Sequence, residues 1–252
     1  MQPDDLTLAF ELATDATAIA MSWAGGDVPH TLKEDGSPVT EGDLEVNHAL
    51  VEVLTESRPD DGVLSEEVPE IPGTSGRRWI IDPIDGTRAF MKGRPGWGTH
   101  IALEEDGEIV LGIITRPEDD EIFWAVRGTG AFRASLETPD DQSHRLQLSS
   151  GADLAAATVS GYGDIGHPDL DTLAEHTTFE RRSVSPIPDF LNGNLDALVL
   201  IGGQIWDFAP LVPLVREAGG DIRSRDGGNA LNEQWLICSN GPLLAPLSAL
   251  YA

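Results

Sequence analysis

The stretch Trp79-Ile80-Ile81-Asp82-Pro83-Ile84-Asp85-Gly86-Thr87 decides how this chain is read. Its first three residues form an unbroken apolar run, the pattern of a buried strand. Pro83 has no N–H to give a sheet ladder, which predicts a strand end near Asp82. Asp85-Gly86 then supplies turn chemistry, and both carboxylates can face one space. Hard divalent cations such as Mg²⁺ take oxygen ligands, commonly one or two carboxylates completed by water and substrate phosphate. Two Asp and the carbonyl between them suit such an ion. Gly86 to Phe90 reads as the opening of a short helix, whose first N–H groups lack intrahelical partners and can receive a phosphate oxygen. An ordinary Asp-Gly turn at a strand end uses the same residues, so the stretch alone leaves both readings open.

Two further acidic elements bear on that choice. Gly62-Val63-Leu64-Ser65-Glu66-Glu67 is another short apolar run ending in carboxylates, and pairing of the two strands would bring their acidic ends together. A solvated Glu pair is the plain alternative. Asp207, in Trp206-Asp207-Phe208-Ala209-Pro210, precedes a helix-like run of Leu211, Val212, Leu214 and Val215 that stops at Gly219-Gly220. It reads as the N-cap of that helix, a position compatible with metal ligation.

Glu66 behind its Gly-Val-Leu strand, the Asp82-Pro83-Ile84-Asp85-Gly86-Thr87 turn and the late Trp206-Asp207 resemble the three signatures of the inositol monophosphatase superfamily, in order and across most of the chain. Its members are Mg²⁺-dependent, Li⁺-sensitive phosphomonoesterases acting on small phosphorylated substrates. The resemblance implies two or three Mg²⁺ ions held by Glu66, Asp82, the backbone carbonyl of Ile84, Asp85 and Asp207. It also implies that Thr87 joins Glu66 in orienting the attacking water, and that the Gly86 and Thr87 amides bind the phosphate. No protein nucleophile is then required, because phosphoryl transfer is mainly positioning and charge compensation. Residues 31–43, with Lys33 and Gly36-Ser37-Pro38, resemble the family's lysine-bearing hairpin, which makes Asp43 a further catalytic candidate. Thr40-x-x-Asp43 equally reads as a capping box before a helix with Val46, Ala49, Leu50, Val53 and Leu54 on one face. A homodimer is expected from the resemblance only. A noncatalytic metal-binding relative that has kept the ligands is the alternative from another class.

Composition narrows the partners. With 43 Asp and Glu against 16 Lys and Arg, the formal net charge of −27 argues against nucleic acid polymers and anionic membranes. It also repels phosphate esters, so an acidic phosphatase has to invert its local field, and a divalent metal is the obvious means. Lys33 and Lys92 are the only lysines, a bias that suits a halophile or a high-GC genome alike. The start Met1-Gln2-Pro3-Asp4-Asp5 lacks the basic and apolar regions of a signal peptide, and no run approaches a membrane span, so a cytoplasmic protein is expected. Cys238 stands alone, which excludes an intrachain disulfide. The six histidines show no His-x-x-x-His spacing, and there is no Gly-x-Ser-x-Gly elbow.

The 252 residues suffice for one phosphatase unit made of two packed halves, about 1–148 and 149–252. Residues 4–23 read as a helix with Leu6, Ala9, Phe10, Ala13 and Ala16 on its apolar side, ended by Gly25-Gly26. Runs at 99–104, 109–115 and 122–126 are the strands of an antiparallel meander. Beyond about residue 150 strands alternate with helices, with strands near 221–223 and 234–239. This order suits the α+β class, and the resemblance implies the layered α/β/α/β/α sandwich of the inositol monophosphatase and fructose-1,6-bisphosphatase type. Gly161-Tyr162-Gly163-Asp164-Ile165-Gly166 formally matches the dinucleotide fingerprint. His167-Pro168 interrupts the helix that should start there, so a loop near the substrate is the better reading.

Residues 90–103, with Trp97-Gly98-Thr99, look most like the histidinol-phosphate phosphatase branch. The substrate half departs from it. In the family an acidic residue normally precedes the Trp-Asp pair by several positions, whereas residues 198–201 are all apolar and Leu200 takes its place. Pro186 and Pro188 shorten the helix before it. A buried polar substrate group left unpaired at Leu200 costs about 1 to 3 kcal/mol, which weakens histidinol phosphate and inositol phosphate alike. A nucleotide or a specialised-metabolite phosphate with a less polar alcohol is the alternative, unless Asp189 or Asp164 replaces the missing acid.

Overall fold

The computed structural model describes residues 1–2, 4–138, 143–163, 166–182, 184–225, 231 and 234–251. Two helices, α1 (Asp5–Trp23) and α2 (Glu41–Ser57), flank a hairpin of β1 (His30–Leu32) and β2 (Pro38–Thr40). The helix expected over residues 4–23 is present, but its buried stripe is Leu8, Ala9, Leu12, Ala13, Ala16 and Ala20. Leu6 and Phe10 sit half-buried at its edge. The alanines leave room for the larger Val46, Leu50 and Leu54 of α2. α2 opens on the expected reciprocal cap: Asp43 N donates to Thr40 Oγ1 at 3.2 Å and Thr40 N donates to Asp43 Oδ2 at 2.8 Å.

The first sheet runs in chain order through β3 (Gly62–Ser65), β4 (Arg77–Asp85), β5 (Gly98–Glu105), β6 (Glu108–Arg116), β7 (Glu121–Val126), β8 (Gly130–Ser135) and β9 (His144–Arg145). β3 and β4 are parallel, with Ser65 opposite Ile81, while β4 to β9 form an antiparallel meander. The parallel register places Glu66 beside Asp82, and Glu66 N donates to Ile81 O at 3.2 Å. β4 does not end near Asp82 as the proline predicts. It continues to Asp85 because the ladder slips between Asp82 and Asp85, and Pro83, which has no N–H to offer, sits inside that bulge. Alternation along β4 sends Trp79 and Ile81 toward α1 and α2, and Ile80 to the opposite face.

The second sheet has the order β11 (Thr178–Glu180), β10 (Thr158–Gly163), β12 (Ala197–Ile201), β14 (Trp235–Asn240) and β13 (Gly220–Ser224). Between the sheets lie α5 (Ile187–Leu191), α6 (Ile205–Phe208) and α7 (Leu211–Glu217). There Ile80, Ile114 and Phe123 of the first sheet meet Leu198, Leu236 and Cys238 of the second across Phe190, Leu211 and Leu214. On the outer face Val159, Val199 and Ile237 are covered by α4 (Pro168–His176) and α8 (Leu244–Ala249). The result is the five-layer α/β/α/β/α sandwich.

Two local readings need correction. Residues Gly161, Tyr162 and Gly163 end strand β10 rather than forming a loop, and Pro168 begins α4 at its first position, where a missing N–H costs nothing. The single helix expected after Asp207 is split into α6 and α7 at Ala209-Pro210. Among the described residues no helix is long and apolar enough to cross a membrane.

Candidate active site

Asp82 and Asp85 at the bulged end of β4 and Asp207 on α6 each bring one carboxylate oxygen within 4.8 Å of the others. Asp82 is 1 % exposed and its Oδ1 has no hydrogen-bond partner. A buried orphan of this kind is costly unless something ligates it. Burial, then the charges of Glu66, Asp207 and Asp85, push Asp82 well above the usual carboxylate range. Burial and the Asp85 charge push Asp207 up to about 7. The nest is short of positive charge, and its donors are hard oxygens, so a hard divalent cation fits it. Asp207 is not the N-cap expected from sequence. α6 starts two residues earlier, and Asp207 accepts the Gln204 N–H from the third helical position, which fixes the carboxylate's orientation.

Two buried residues that sequence reasoning missed stand against Asp85, and Arg116 is the one that pairs with it. Arg116 Nη2 lies 3.4 Å and His100 Nε2 lies 3.5 Å from Asp85 Oδ2. Arg116, only 2 % exposed, also donates to Thr115 O at 3.0 Å and to Ser185 Oγ at 3.4 Å. Burial pushes His100 down to about 4, so its imidazole is neutral near pH 7. An arginine closing a strand before Pro117 looks like an ordinary exposed end, and only the fold buries it.

Thr87 is the first residue of α3 (Thr87–Phe90). Its cap, Gly86, has φ 83, and a Cβ there would stand 2.7 Å from Gly96 O, so only glycine suits the position. Thr87 Oγ1 lies 3.1 Å from Ile84 O and 3.2 Å from Asp43 Oδ1. Asp43 is therefore both the capping-box partner of Thr40 and a partner of Thr87, and burial raises its pKa from the ordinary aspartate value. Thr99 Oγ1 donates to Pro83 O at 2.9 Å and pins the bulge from β5. The Ile84 side chain is buried in the core beneath α1 and α2, leaving its carbonyl to the site. Glu66 stands outside the three-oxygen cluster, held with Glu67 by Lys33 Nζ at 2.7 and 2.8 Å. Burial alone would lower the Lys33 pKa, but its bonds to Glu66 and Glu67 outweigh that and raise it.

Two cavities meet at Tyr162. The larger, about 560 Å³, is lined by Glu66, Gly86, Thr87 and Tyr162 together with Arg88, Lys92 and Arg94. The smaller, about 200 Å³, has Asp85 and Asp207 on one side and Tyr162, Ile187, Leu200 and Phe208 around the rest. Leu200 is placed there by β12, where it lies opposite Tyr162 and Leu236. The charge of Asp85 and burial keep the Tyr162 phenol protonated. Asp189 lines neither cavity; Arg182 Nη1 holds its carboxylate at 2.9 Å instead. Asp164 lies outside the described residues.

Fold and site together define the class: a phosphatase, a phosphoric monoester hydrolase on a layered α+β sandwich. The chain belongs to the inositol monophosphatase family, whose model matches residues 2–251. It is 42 % identical over 236 residues to a Streptomyces griseus protein named glucose-1-phosphate thymidylyltransferase, covering 92 % of this chain and 90 % of that one. It is 37 % identical over 252 residues to a histidinol-phosphatase of Mycobacterium tuberculosis, covering 96 % of each. The fold superimposes on the extragenic suppressor protein suhB from Bartonella henselae with a TM-score of 0.85 and 28 % identity, over 98 % of this chain and 97 % of that one.

Proposed function

We propose that this chain is a Mg²⁺-dependent phosphomonoesterase that hydrolyses a small phosphorylated alcohol, in the manner of histidinol and inositol phosphatases. The carrying observation is the approach of the Asp82, Asp85 and Asp207 oxygens to within 4.8 Å, in a nest that includes the orphaned Asp82 Oδ1. We assign Glu66, Asp82, the Ile84 carbonyl, Asp85 and Asp207 as the groups that would hold two or three Mg²⁺ ions. Bound there, the metal supplies Lewis-acid activation of water and neutralises charge on the phosphate and leaving oxygen.

The chain's own residues do the positioning. Thr87 has one proton for two acceptors, Asp43 and Ile84 O, so its lone pairs are left to accept a hydrogen bond from water in the larger cavity. Glu66, lining the same cavity, takes the water's other proton. The Gly86 and Thr87 amides, at a helix start without intrahelical acceptors, donate to phosphate oxygens. Arg116 keeps Asp85 in place, with the neutral His100 packed beside it.

The part of the alcohol beside the scissile phosphate occupies the smaller chamber, which opens past Tyr162 to the larger one and lies next to Asp85 and Asp207. Its walls of Ile187, Leu200 and Phe208 favour an apolar face over inositol hydroxyls or the histidinol amine. The experiment is phosphate release with Mg²⁺ from histidinol phosphate, inositol 1-phosphate, a nucleoside monophosphate, glucose 1-phosphate and phenyl phosphate. Among these esters, none of which carries a second anionic group, the least polar alcohols are expected to give the highest kcat/KM. Histidinol phosphate turning over far faster than all others would overturn the chamber reading and leave the reaction standing. No hydrolysis of any ester, with Mg²⁺ bound, would overturn the reaction. Pyrophosphate release from a thymidine triphosphate and glucose 1-phosphate would favour the activity in the Streptomyces griseus relative's name.

A further inference from the structure

We infer that Arg88, Lys92 and Arg94 form a subsite for a second anionic group on the substrate, so that the natural ester carries a second phosphate or a carboxylate at a distance from the scissile phosphate. The inference rests on the phosphomonoesterase reading above and deepens it. All three cations line the larger cavity, the one that also holds Glu66, Gly86 and Thr87. In a chain of net charge −27 free cations are scarce. The other basic side chains around the site are committed: Lys33 to Glu66 and Glu67, Arg116 to Asp85, and Arg182 to Glu180 and Asp189. Among the described residues, no carboxylate stands within ion-pair distance of Arg88, Lys92 or Arg94. With acids far outnumbering bases, leaving three cations unpaired beside one cavity is the opposite of what random placement produces. Such cations attract an anion from solution.

The segment that carries them is built rather than loose. Lys92 N donates to Ala89 O at 3.0 Å, Gly93 N to Phe90 O at 3.0 Å and Arg94 N to Ala89 O at 3.0 Å, so the turn after α3 closes on itself. Phe90 at one end is fully buried and packs edge-on against the buried Trp97 at the other, with ring centroids 4.8 Å apart. Glu118 then accepts from Gly96 N and Trp97 Nε1. The backbone of the rim is fixed at both ends, and the exposed side chains of Arg88, Lys92 and Arg94 line from it the cavity that holds Thr87, where a second anion on the same molecule can meet them. Arginine adds the planar donor fork that suits phosphate and carboxylate.

The test is calorimetric binding to the Mg²⁺-loaded protein of alkane bisphosphonates with spacers of increasing length, against the matching alkyl monophosphonates and ω-carboxyalkyl phosphonates. The wild-type protein is expected to prefer one spacer of the doubly anionic series over its monoanionic partner by at least about tenfold, the scale of one or two charge-assisted hydrogen bonds. The variant Arg88→Gln, Lys92→Gln, Arg94→Gln is expected to lose that preference while its melting temperature stays near the wild type's. Whichever of the bisphosphonate and the carboxylate series shows the preference identifies the second anion. A preference that persists in the variant, is absent from the wild type, or is the same at every spacer length overturns the subsite, the last because it reports diffuse attraction. Hydrolysis is scored separately, on the corresponding phosphate esters. Failure there with the binding preference intact counts against the phosphatase reading alone.

Discussion

A carboxylate oxygen buried without a partner destabilises the fold that contains it, and Asp82 Oδ1 is such an atom. Replacing Asp82 by Asn should therefore do two opposite things. Phosphate release in Mg²⁺ is expected to fall by about a hundredfold or more, as it does when a preorganised electrostatic contact is lost. The metal-free protein should melt higher, by about 2 to 4 °C for each kcal/mol of relieved repulsion, which differential scanning calorimetry would read. Asp85→Asn should abolish turnover in the same assay without unfolding the chain; near-normal activity in that variant would sink the ligand assignment. Asp207 sets a pH dependence. Its folded pKa, raised to about 7 in the metal-free protein, lies above that of an unfolded aspartate, so the folded state holds the extra proton. The stability it contributes is complete at acid pH, below the unfolded value, and is lost as pH rises through about 7. Mg²⁺ needs the deprotonated form, so its affinity should climb over the same interval, with proton release on binding. A calorimetric Mg²⁺ affinity that is flat between pH 6 and 8 would contradict this.

Among the elements, the turn from β4 into α3 ties the site to the sheets. Gly86 makes it possible through a left-handed backbone angle and a close approach to Gly96 O. Gly86→Ala should cost about 1 to 3 kcal/mol of stability and displace Thr87, lowering kcat far more than it raises KM. Denaturant unfolding and steady-state kinetics on one preparation would check both, and a wild-type kcat would show that the turn tolerates a side chain. The bulge before it explains why the strand end was misplaced from sequence. Proline excludes a normal ladder position but not a bulge, and whether a bulge forms depends on what β5 offers opposite. The capping box of α2 was legible because both partners lie within four residues. The resemblance made Asp43 a catalytic candidate, but its contact with Thr87 was not legible, because it spans two distant elements.

For the whole molecule, a net charge of −27 means that the folded chain repels itself. Its melting temperature is expected to rise as KCl is increased from low to multimolar concentration, and a salt-insensitive value would remove the halophile reading. The amino-acid sequence by itself determined the α+β class and offered the Asp82 and Asp85 pair, because alternation, caps and the Asp82 to Thr87 turn are written in neighbouring residues. The layered sandwich and the wider ligand set came from the family resemblance. Only the tertiary structure decided what surrounds those carboxylates. It buried Arg116 and His100 against Asp85, brought Tyr162 and Leu200 into one chamber and aligned three free cations along another. These pairs are far apart in the chain, and burial, charge compensation and cavity shape arise only when the two sheets and the helices between them close on each other.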